Sequence, residues 1–505
     1  MNTHTGTTQS LMRLLDGIAG LPRDVAINDL TQDGRAARPG SAFLAVRGSS
    51  EHGLKYAPQA VANGARAVLW EPAPVAVLPD LPSEILVAPV PRLREHASLI
   101  ADRFFGSPSA RLAVAGITGT NGKTTCAYLL AQALESAGRP AAYMGTIGTG
   151  RPRELTASAL TTGDAITVQR TLAQLRSGGA ASVAMEVSSH ALDQARIGAV
   201  RIKTAVFTNL TRDHLDYHAT MDNYGAAKAR LFAREDLVSR VINVDDAFGR
   251  QLAIDPRGRG RVVVTSRGHQ SRARAAAGFV RAMHVTLSTN GIELEFDSSW
   301  GTGALVCPLV GDFNVDNLLT VIAVLLDWDL TLQQVIDALT RVHAAPGRME
   351  TFGGGQAPLA VVDYAHTPDA LRKALAAARA HCAGRLVVVF GCGGDRDPGK
   401  RPIMGAIAAE LADDIVITDD NPRTESPQGI AAEIAAGIPP GTTFRIELDR
   451  GRAIRESLTD AGARDVVLIA GKGHENYQIY GAERREFSDQ RAVAATLATR
   501  AGGAA

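Results

Sequence analysis

One stretch constrains this chain more than any other: an apolar run, Leu112-Ala113-Val114-Ala115, passes directly into Gly116-Ile117-Thr118-Gly119-Thr120-Asn121-Gly122-Lys123-Thr124-Thr125. A strand that ends in a glycine-rich turn and restarts as a helix belongs in an α/β sheet, with the turn at the carboxyl edge. The turn is a phosphate cradle. Its glycines let backbone N–H groups wrap a polyphosphate, Lys123 can reach the outer phosphates, and the Thr124 hydroxyl can hold Mg²⁺. The chain is therefore expected to handle ATP or GTP. Five residues separate Gly116 from Gly122, with Gly119 among them, where the usual phosphate loop has four.

Around this loop the chain alternates strand-like and helix-like segments. Residues 42–46, 67–70 and 85–87 read as short strands and 56–63 as a helix, a small α/β module closed by the prolines between Pro72 and Pro91. A helix over 93–105 leads into the phosphate-loop strand, and a helix over 124–136 follows it. Strands at 182–185 and 204–208 continue a parallel sheet, and helices at 315–326 and 332–342 end near Pro346-Gly347. The last third alternates again, with strands at 360–362, 386–390, 414–418 and 466–470. The expected fold is α/β in three domains: an N-terminal module (1–91), a central P-loop parallel sheet (92–343) and a C-terminal Rossmann-like domain (344–505). Gly391-Cys392-Gly393-Gly394 follows a strand but lacks the dinucleotide fingerprint, which excludes an NAD reading.

Composition narrows the function classes. Lys and Arg number 53 against 52 Asp and Glu, a net charge of +1, which offers no electrostatic case for a nucleic-acid or membrane-surface partner. Cys126, Cys307, Cys382 and Cys392 show no metal-type spacing and read as free thiols. Charges interrupt the apolar residues of 11–16 too early for a secretory signal, and no apolar run reaches the ~18–20 residues of a membrane span. A cytoplasmic monomer is expected.

Other constellations sit beside strand ends. Glu186, in Met185-Glu186-Val187-Ser188-Ser189-His190, is placed as a Mg²⁺ ligand or as a plain surface glutamate. The polar density of residues 207–218 makes His214 either a ligand or a hydrogen-bonding residue, since Mg²⁺ prefers oxygen. Lys228, on a predicted helix over 221–232, reads by spacing alone as a solvated lysine.

Taken together, Gly116 to Thr125, Glu186 to His190, Asn209 to His214 and Lys228 resemble the Mur ligase family, the ATP-dependent amide-forming enzymes of peptidoglycan precursor synthesis. Gly311-Asp312-Phe313-Asn314, Gly347-Arg348, Asp363-Tyr364-Ala365-His366 and Gly471-Lys472-Gly473-His474-Glu475 extend the resemblance over nearly the whole chain. It implies that ATP is bound by Gly119, Thr120, Asn121, Gly122, Lys123, Thr124 and Thr125 together with Asn314, Arg348 and Asp363. It also implies a lysine carbamylated by CO₂ at Lys228, which with Glu186, His214 and Thr124 would hold two Mg²⁺ ions.

Asp420-Asn421-Pro422-Arg423 alone reads as a turn. Within the resemblance it matches the signature of members that add meso-diaminopimelate to UDP-N-acetylmuramoyl-L-alanyl-D-glutamate, and lysine-adding relatives lack that arginine. A planar guanidinium suits the distal carboxylate that diaminopimelate has and lysine does not. The resemblance implies that Arg396, Gly471 and Glu475 complete this pocket, and that Gln32, Gly34, Thr161, Thr162, Ser188, Gln194 and Arg196 bind the UDP-linked substrate. Gly34 stands where the family pattern has serine. A ligase of the same family for lysine or another amino acid, and a nucleotide-driven switch or motor, are the competing readings.

Overall fold

The computed structural model describes residues 8–48, 51–74, 76–158, 160–268, 276–288 and 290–502. The chain divides into two compact units, one comprising Met1–Lys123, Arg139–Arg240 and Phe248–Val262, the other Thr124–Gly138, Val241–Ala247 and Val263–Ala505.

The first unit begins with a four-stranded parallel sheet in the order Asp29–Thr31, Ser41–Ala45, Ala67–Trp70, Leu86–Pro89. Ser41–Ala45 is buried along its whole length, because successive side chains point to opposite, covered faces. Ala42 and Leu44 pack with Leu11, Leu14, Leu93 and Ile100 on one face. Phe43 and Ala45 pack with Leu54, Ala57 and Ala60 on the other. Asp29–Thr31 has too few apolar residues to show as a strand in sequence; pairing with Ser41–Ala45 creates it.

Further along the same unit, four parallel strands lie in the order Ala141–Gly145, Ser182–Glu186, Ala113–Thr118, Thr204–Phe207. The glycine-loop strand therefore lies between two neighbours whose ends carry the other candidate motifs. An antiparallel extension, Gly148–Arg151 and Glu154–Thr156, continues from Ala141–Gly145.

In the second unit, Gly278–Ser288, Gly291–Ser298 and Gly301–Cys307 form an antiparallel meander in addition to the predicted strands. Helix Asn314–Asp327 is buried on nearly every side, which explains why it is apolar all round. A six-stranded sheet follows, in the order Glu350–Gly353, Leu359–Asp363, Val466–Ala470, Leu386–Phe390, Asp414–Ile417, Phe444–Ile446. All its pairs are parallel except the first. Helices Pro368–Arg379, Lys400–Leu411 and Pro427–Ala435 cover one face through Leu371, Leu375, Met404, Ile407 and Ile434. Helices Arg450–Asp460 and Asp489–Gly502 cover the other through Ile454, Leu458 and Val493. This is the doubly wound Rossmann-like arrangement expected. The cysteines are free thiols, and no helix among the described residues is long and apolar enough to cross a membrane.

The two helices of the second face begin at a buried ion pair. Arg450 Nε and Nη2 donate to Asp489 at 2.7 and 2.8 Å, with both side chains 0% exposed. Arg450 also donates to the carbonyls of Asp419 at 3.3 Å and Ala470 at 3.0 Å, so one guanidinium binds two strand ends to two helix starts. Removing one partner strands a buried charge. Asp489→Ala is expected to destabilise the protein by about 3–5 kcal/mol, read as a fall in Tm and in the denaturant midpoint.

Candidate active site

In the first unit the glycine loop leaves its strand at Thr118 and is locked by the segment after the neighbouring strand. Thr120 N donates to Asn209 O at 2.8 Å and Asn121 N to Asn209 Oδ1 at 2.9 Å. Thr208 Oγ1 donates to Asn121 O at 2.6 Å, and Thr211 N to Thr120 Oγ1 at 2.9 Å. Gly119 has φ +153°, and a Cβ there would run into Thr208 Oγ1, so only glycine permits this approach. Thr118 Oγ1 is buried beside the loop with no hydrogen-bond partner among the described residues. A cradle with a glycine at its closest contact and an adjacent orphan hydroxyl fits a polar, phosphate-bearing ligand.

Two lysines meet at this loop. Lys123 Nζ donates to Gly119 O at 3.0 Å and to Thr120 O at 2.9 Å, and Lys228 Nζ donates to the same Gly119 O at 2.8 Å. Lys228 is 1% exposed and sits 4.3 Å from the centroid of the Tyr224 ring. Burial, and next the Lys123 charge, push its pKa from the ordinary 10.5 down to about 6. The helix spacing suggested a solvated lysine; the fold buries it.

Glu186, the last residue of its strand, is fully buried. It accepts hydrogen bonds from the Tyr143 hydroxyl, from Thr146 N at 2.9 Å and from Thr146 Oγ1 at 3.2 Å. Its backbone carbonyl takes the Thr162 hydroxyl at 2.9 Å, and Thr162 Oγ1 in turn accepts from Ser188 N at 3.1 Å. Thr161 and Thr146 hydroxyls lie 3.0 Å apart. Arg196 donates to Thr162 O at 2.8 Å and to Gln194 Oε1 at 2.7 Å, and Gln194 reaches the Tyr217 hydroxyl at 3.1 Å. Thr161, Thr162, Ser188, Gln194 and Arg196 thus form one network with Glu186.

His214 is half-exposed, in the left-handed region at φ +52°, with its ring centroid 5.0 Å from His190 and 5.9 Å from Tyr224. His190 stacks against Tyr217 at 4.2 Å and lies 5.5 Å from His218. Burial lowers the pKa of both His190 and His218. Neither was singled out in sequence, although both fall in the quoted polar segments. Among the described residues no three His, Cys, Asp or Glu side chains are grouped as a metal site.

Gln32 lines a cleft of about 740 Å³ with Asp29, Arg38, Phe105 and Arg170. Gly34, Thr161, Thr162, Ser188, Gln194 and Arg196 are not among its walls. A Cβ at Gly34 would lie 2.8 Å from Tyr56 O, so serine could not be accommodated without a shift.

In the second unit the helix Lys123–Ser136 carries Thr124 and Thr125 at its start. Asn314 is buried and internally committed: its Nδ2 donates to Val310 O at 2.7 Å, and its Oδ1 accepts from Asn317 at 2.8 Å. Arg348 packs 5.5 Å over the Tyr364 ring, and its Nε is buried without a partner among the described residues. Asp363 accepts from Met349 N and Ala365 N, both at 2.8 Å, while burial raises its pKa.

The carboxyl edge of the six-stranded sheet gathers the remaining candidates. Arg423, at φ +53°, donates to Gly394 O at 2.6 Å. Asn421 donates to Glu475 Oε2 at 2.9 Å, and fully buried Lys472 donates to both Asn421 Oδ1 and Glu475 Oε2 at 3.2 Å. Asp420 is buried, its pKa raised by desolvation against the opposing Lys472 charge. The hairpin Tyr477–Tyr480 and Glu483–Glu486 closes over the loop: Arg423 N donates to Ile479 O at 2.9 Å and Ile479 N to Asn421 Oδ1 at 3.1 Å. Arg396 Cγ lies beside Gly393 in the facing loop.

Three family descriptions match successive parts of the chain. They are the Mur ligase family catalytic domain over 26–104, the Mur ligase middle domain over 117–325, and the Mur ligase glutamate ligase domain over 347–473. The UDP-N-acetylmuramoyl-L-alanyl-D-glutamate--2,6-diaminopimelate ligase of Xanthomonas campestris pv. campestris is 47% identical over 496 residues, 98% of each chain. The enzyme of the same name from Pseudomonas aeruginosa is 46% identical over 477 residues, covering 94% of this chain and 96% of its own. A solved structure of a ligase of that name superposes with a TM-score of 0.74 at 33% identity, covering 98% of this chain and 99% of that one. The chain belongs to the Mur ligase family.

The buried lysine gives a test with a definite sign. A base whose folded pKa lies below its unfolded value weakens the fold fully below about pH 6, and the penalty is relieved as pH rises towards 10.5. Lys228→Met is expected to be more stable than the native protein at pH 7 in CO₂-free buffer. Its advantage should shrink by about 1.4 kcal/mol per pH unit up to pH 9, read by urea unfolding at each pH.

Proposed function

We propose that this protein is an ATP-dependent, ADP-forming ligase that joins meso-diaminopimelate to the D-glutamyl carboxylate of UDP-N-acetylmuramoyl-L-alanyl-D-glutamate, a step in peptidoglycan precursor synthesis. The observation that carries the reading is the 47% identity to a ligase of that name across 98% of both chains. The glycine loop, Lys228 and the Arg423 loop fall within one such relationship.

The three functions are assigned in chain order. Residues 1–91 would hold the uridine end through Gln32 and Gly34, 92–343 the nucleotide, and 344–505 the incoming amino acid. The matched family segments support this order, the first extending past residue 91. With ATP as a substrate, the protein works in the cytoplasm, as a monomer in this reading.

A carboxylate oxygen of the D-glutamyl residue attacks the terminal phosphorus of ATP, and ADP leaves. The amine of diaminopimelate then attacks the acyl carbon, the C–N bond forms, phosphate departs and the amine loses a proton. The loop N–H groups of 119–122 and Lys123 hold and polarise the phosphates, which is chiefly electrostatic work and positioning. Thr161, Thr162, Ser188, Gln194 and Arg196 orient the acidic peptide. Arg423 and Arg396 take the distal carboxylate of the amino acid, and Glu475, with Asp420, Asn421, Pro422 and Gly471 around it, takes the amine.

Lys228 has the property that carbamylation requires. A neutral amine is the form that attacks CO₂, and a pKa near 6 keeps Lys228 neutral at pH 7. The N–C bond forms with loss of one proton, and a buried neutral amine becomes a carboxylate. By the family resemblance that carboxylate would join Glu186 and His214 in holding Mg²⁺, which when bound would neutralise charge on the transferring phosphoryl group.

The decisive assay measures phosphate release with ATP, Mg²⁺ and the UDP-dipeptide. Diaminopimelate is expected to exceed lysine in kcat/KM by roughly 10⁴-fold, the scale on which a site built around a polar contact rejects an analogue lacking it. Equal rates with the two amino acids would refute the assignment. Lys228→Ala should be nearly inactive and partly restored by short carboxylic acids; full activity without them would refute the carbamate.

A further inference from the structure

Arg401 belongs to none of the groups assigned above, yet its side chain is 1% exposed and carries a full charge. It lies at the start of helix Lys400–Leu411, on the apolar face that Met404, Ile407 and Ala408 bury against the sheet. A lone guanidinium in such a place would be costly unless paired. It is paired with two acids: a two-pronged contact to Glu425 at 2.8 and 2.9 Å, and a second to Glu433 at 2.8 Å. These bonds raise its already high pKa, so it stays charged at every accessible pH.

Its partners lie in three segments. Arg401 Nη2 donates to Gly393 O at 3.3 Å, in the loop after strand Leu386–Phe390. Glu425 closes the loop after strand Asp414–Ile417, and Glu433 sits on helix Pro427–Ala435. Glu425 itself also accepts from Asp395 N. The two loops then interlock directly: Gly394 N donates to Asn421 O at 2.9 Å, Arg423 to Gly394 O at 2.6 Å, and the Thr424 hydroxyl to Asp395. A Cβ at Gly394 would collide with Pro422 O, so the backbones touch with nothing between them.

This contact is strained. Asp395 and Arg423 both sit in the left-handed region, at φ +54° and +53°, each at a cost on the order of 1 kcal/mol for a residue with a Cβ. Such conformations persist where surrounding bonds over-determine them. Glu425 and Arg401 supply such bonds to Asp395 N and Gly393 O, while Arg423 is held by Ile479 O and Gly394 O.

We infer that the Arg401–Glu425 pair is a positioning latch that fixes the Arg396 and Arg423 loops at one separation and thereby sets the selectivity of the amino-acid pocket. The inference rests on the assignment of Arg396 and Arg423 to the distal carboxylate. Arg401 and Glu425 act through the loops, not by touching the substrate. A pocket that reads a carboxylate with a fork needs the fork held within a fraction of an ångström. Contacts that hold metal ligands in place are typically worth about 10–100-fold, and the latch is expected to act on the same scale.

The test compares native protein with Arg401→Met, Arg401→Lys, Glu425→Gln and the Arg401→Met/Glu425→Gln double variant. The readouts are KM for diaminopimelate, ATP and the UDP-dipeptide, and the diaminopimelate-to-lysine ratio of kcat/KM. The latch predicts that KM for diaminopimelate rises and the ratio falls by about 10-fold or more, with the KM values for ATP and the UDP-dipeptide within about twofold of native. The double variant should be no worse than the poorer single one, because both break one unit, and Arg401→Lys should fall between native and Arg401→Met. Glu425→Gln alters a half-exposed carboxyl and tests the latch even if Arg401→Met does not fold. Native-like KM and ratio in Glu425→Gln and Arg401→Lys would overturn the inference, as would a uniform loss in kcat with the ratio unchanged. A native protein that does not prefer diaminopimelate would instead refute the functional assignment beneath it.

Discussion

The structure depends on the close approach of loops at the carboxyl edges of parallel strands. Neighbouring parallel strands bring the segments that leave their carboxyl ends to the same edge, where these can pack on one another. At the first such edge Gly119 lies against Thr208, and hydrogen bonds with residues 208–211 hold the glycine loop. At the second, Gly394 lies against Pro422 and the Arg423 loop is set. Each edge turns a flexible glycine segment into a fixed array of donors, and such an array is what phosphate and carboxylate recognition requires.

Charge burial is the second organising feature, and it takes three forms. Arg450 and Asp489 are paired in full, joining helix starts to strand ends. Arg401 is shared between two partly exposed acids and so can brace a loop. Lys228 donates to Gly119 O, an oxygen it shares with Lys123, and meets burial by giving up its proton. The first arrangement ties helix starts to strand ends, the second braces a loop, and the third leaves a neutral amine. Chemistry differs because the neighbours differ, although all three are cations taken out of water.

Much of this was legible in the residues. The strand, glycine loop and helix order located the first edge by local residue types alone, and Asp420 to Arg423 marked the second through the family resemblance, since by themselves these four residues read as a turn. Gapless apolar runs such as 386–390 and 466–470 identified strands covered on both faces. The edge strand Asp29–Thr31 is not legible, because its pairing partner makes it. The antiparallel meander 278–307 is legible, since Asn290-Gly291 sits between two alternating segments as a hairpin turn does, although it lies outside the strands predicted above. His190 and His218 were passed over because an imidazole has no periodic signature; only folding gathers them around His214.

The sequence by itself determined the sheet class, the position of the glycine loop at a strand end, and the family to which the chain belongs, because these depend on local order: which residue follows which. Tertiary structure alone decided that Lys228 is buried and neutral rather than solvated, that Glu186 is held by Tyr143 and Thr146, and that Arg401 braces the Arg423 loop. Those properties depend on which distant segments share a strand edge and on how much water remains there. Burial and pairing set the charge state of a side chain, and neither is written in its immediate neighbours in the chain.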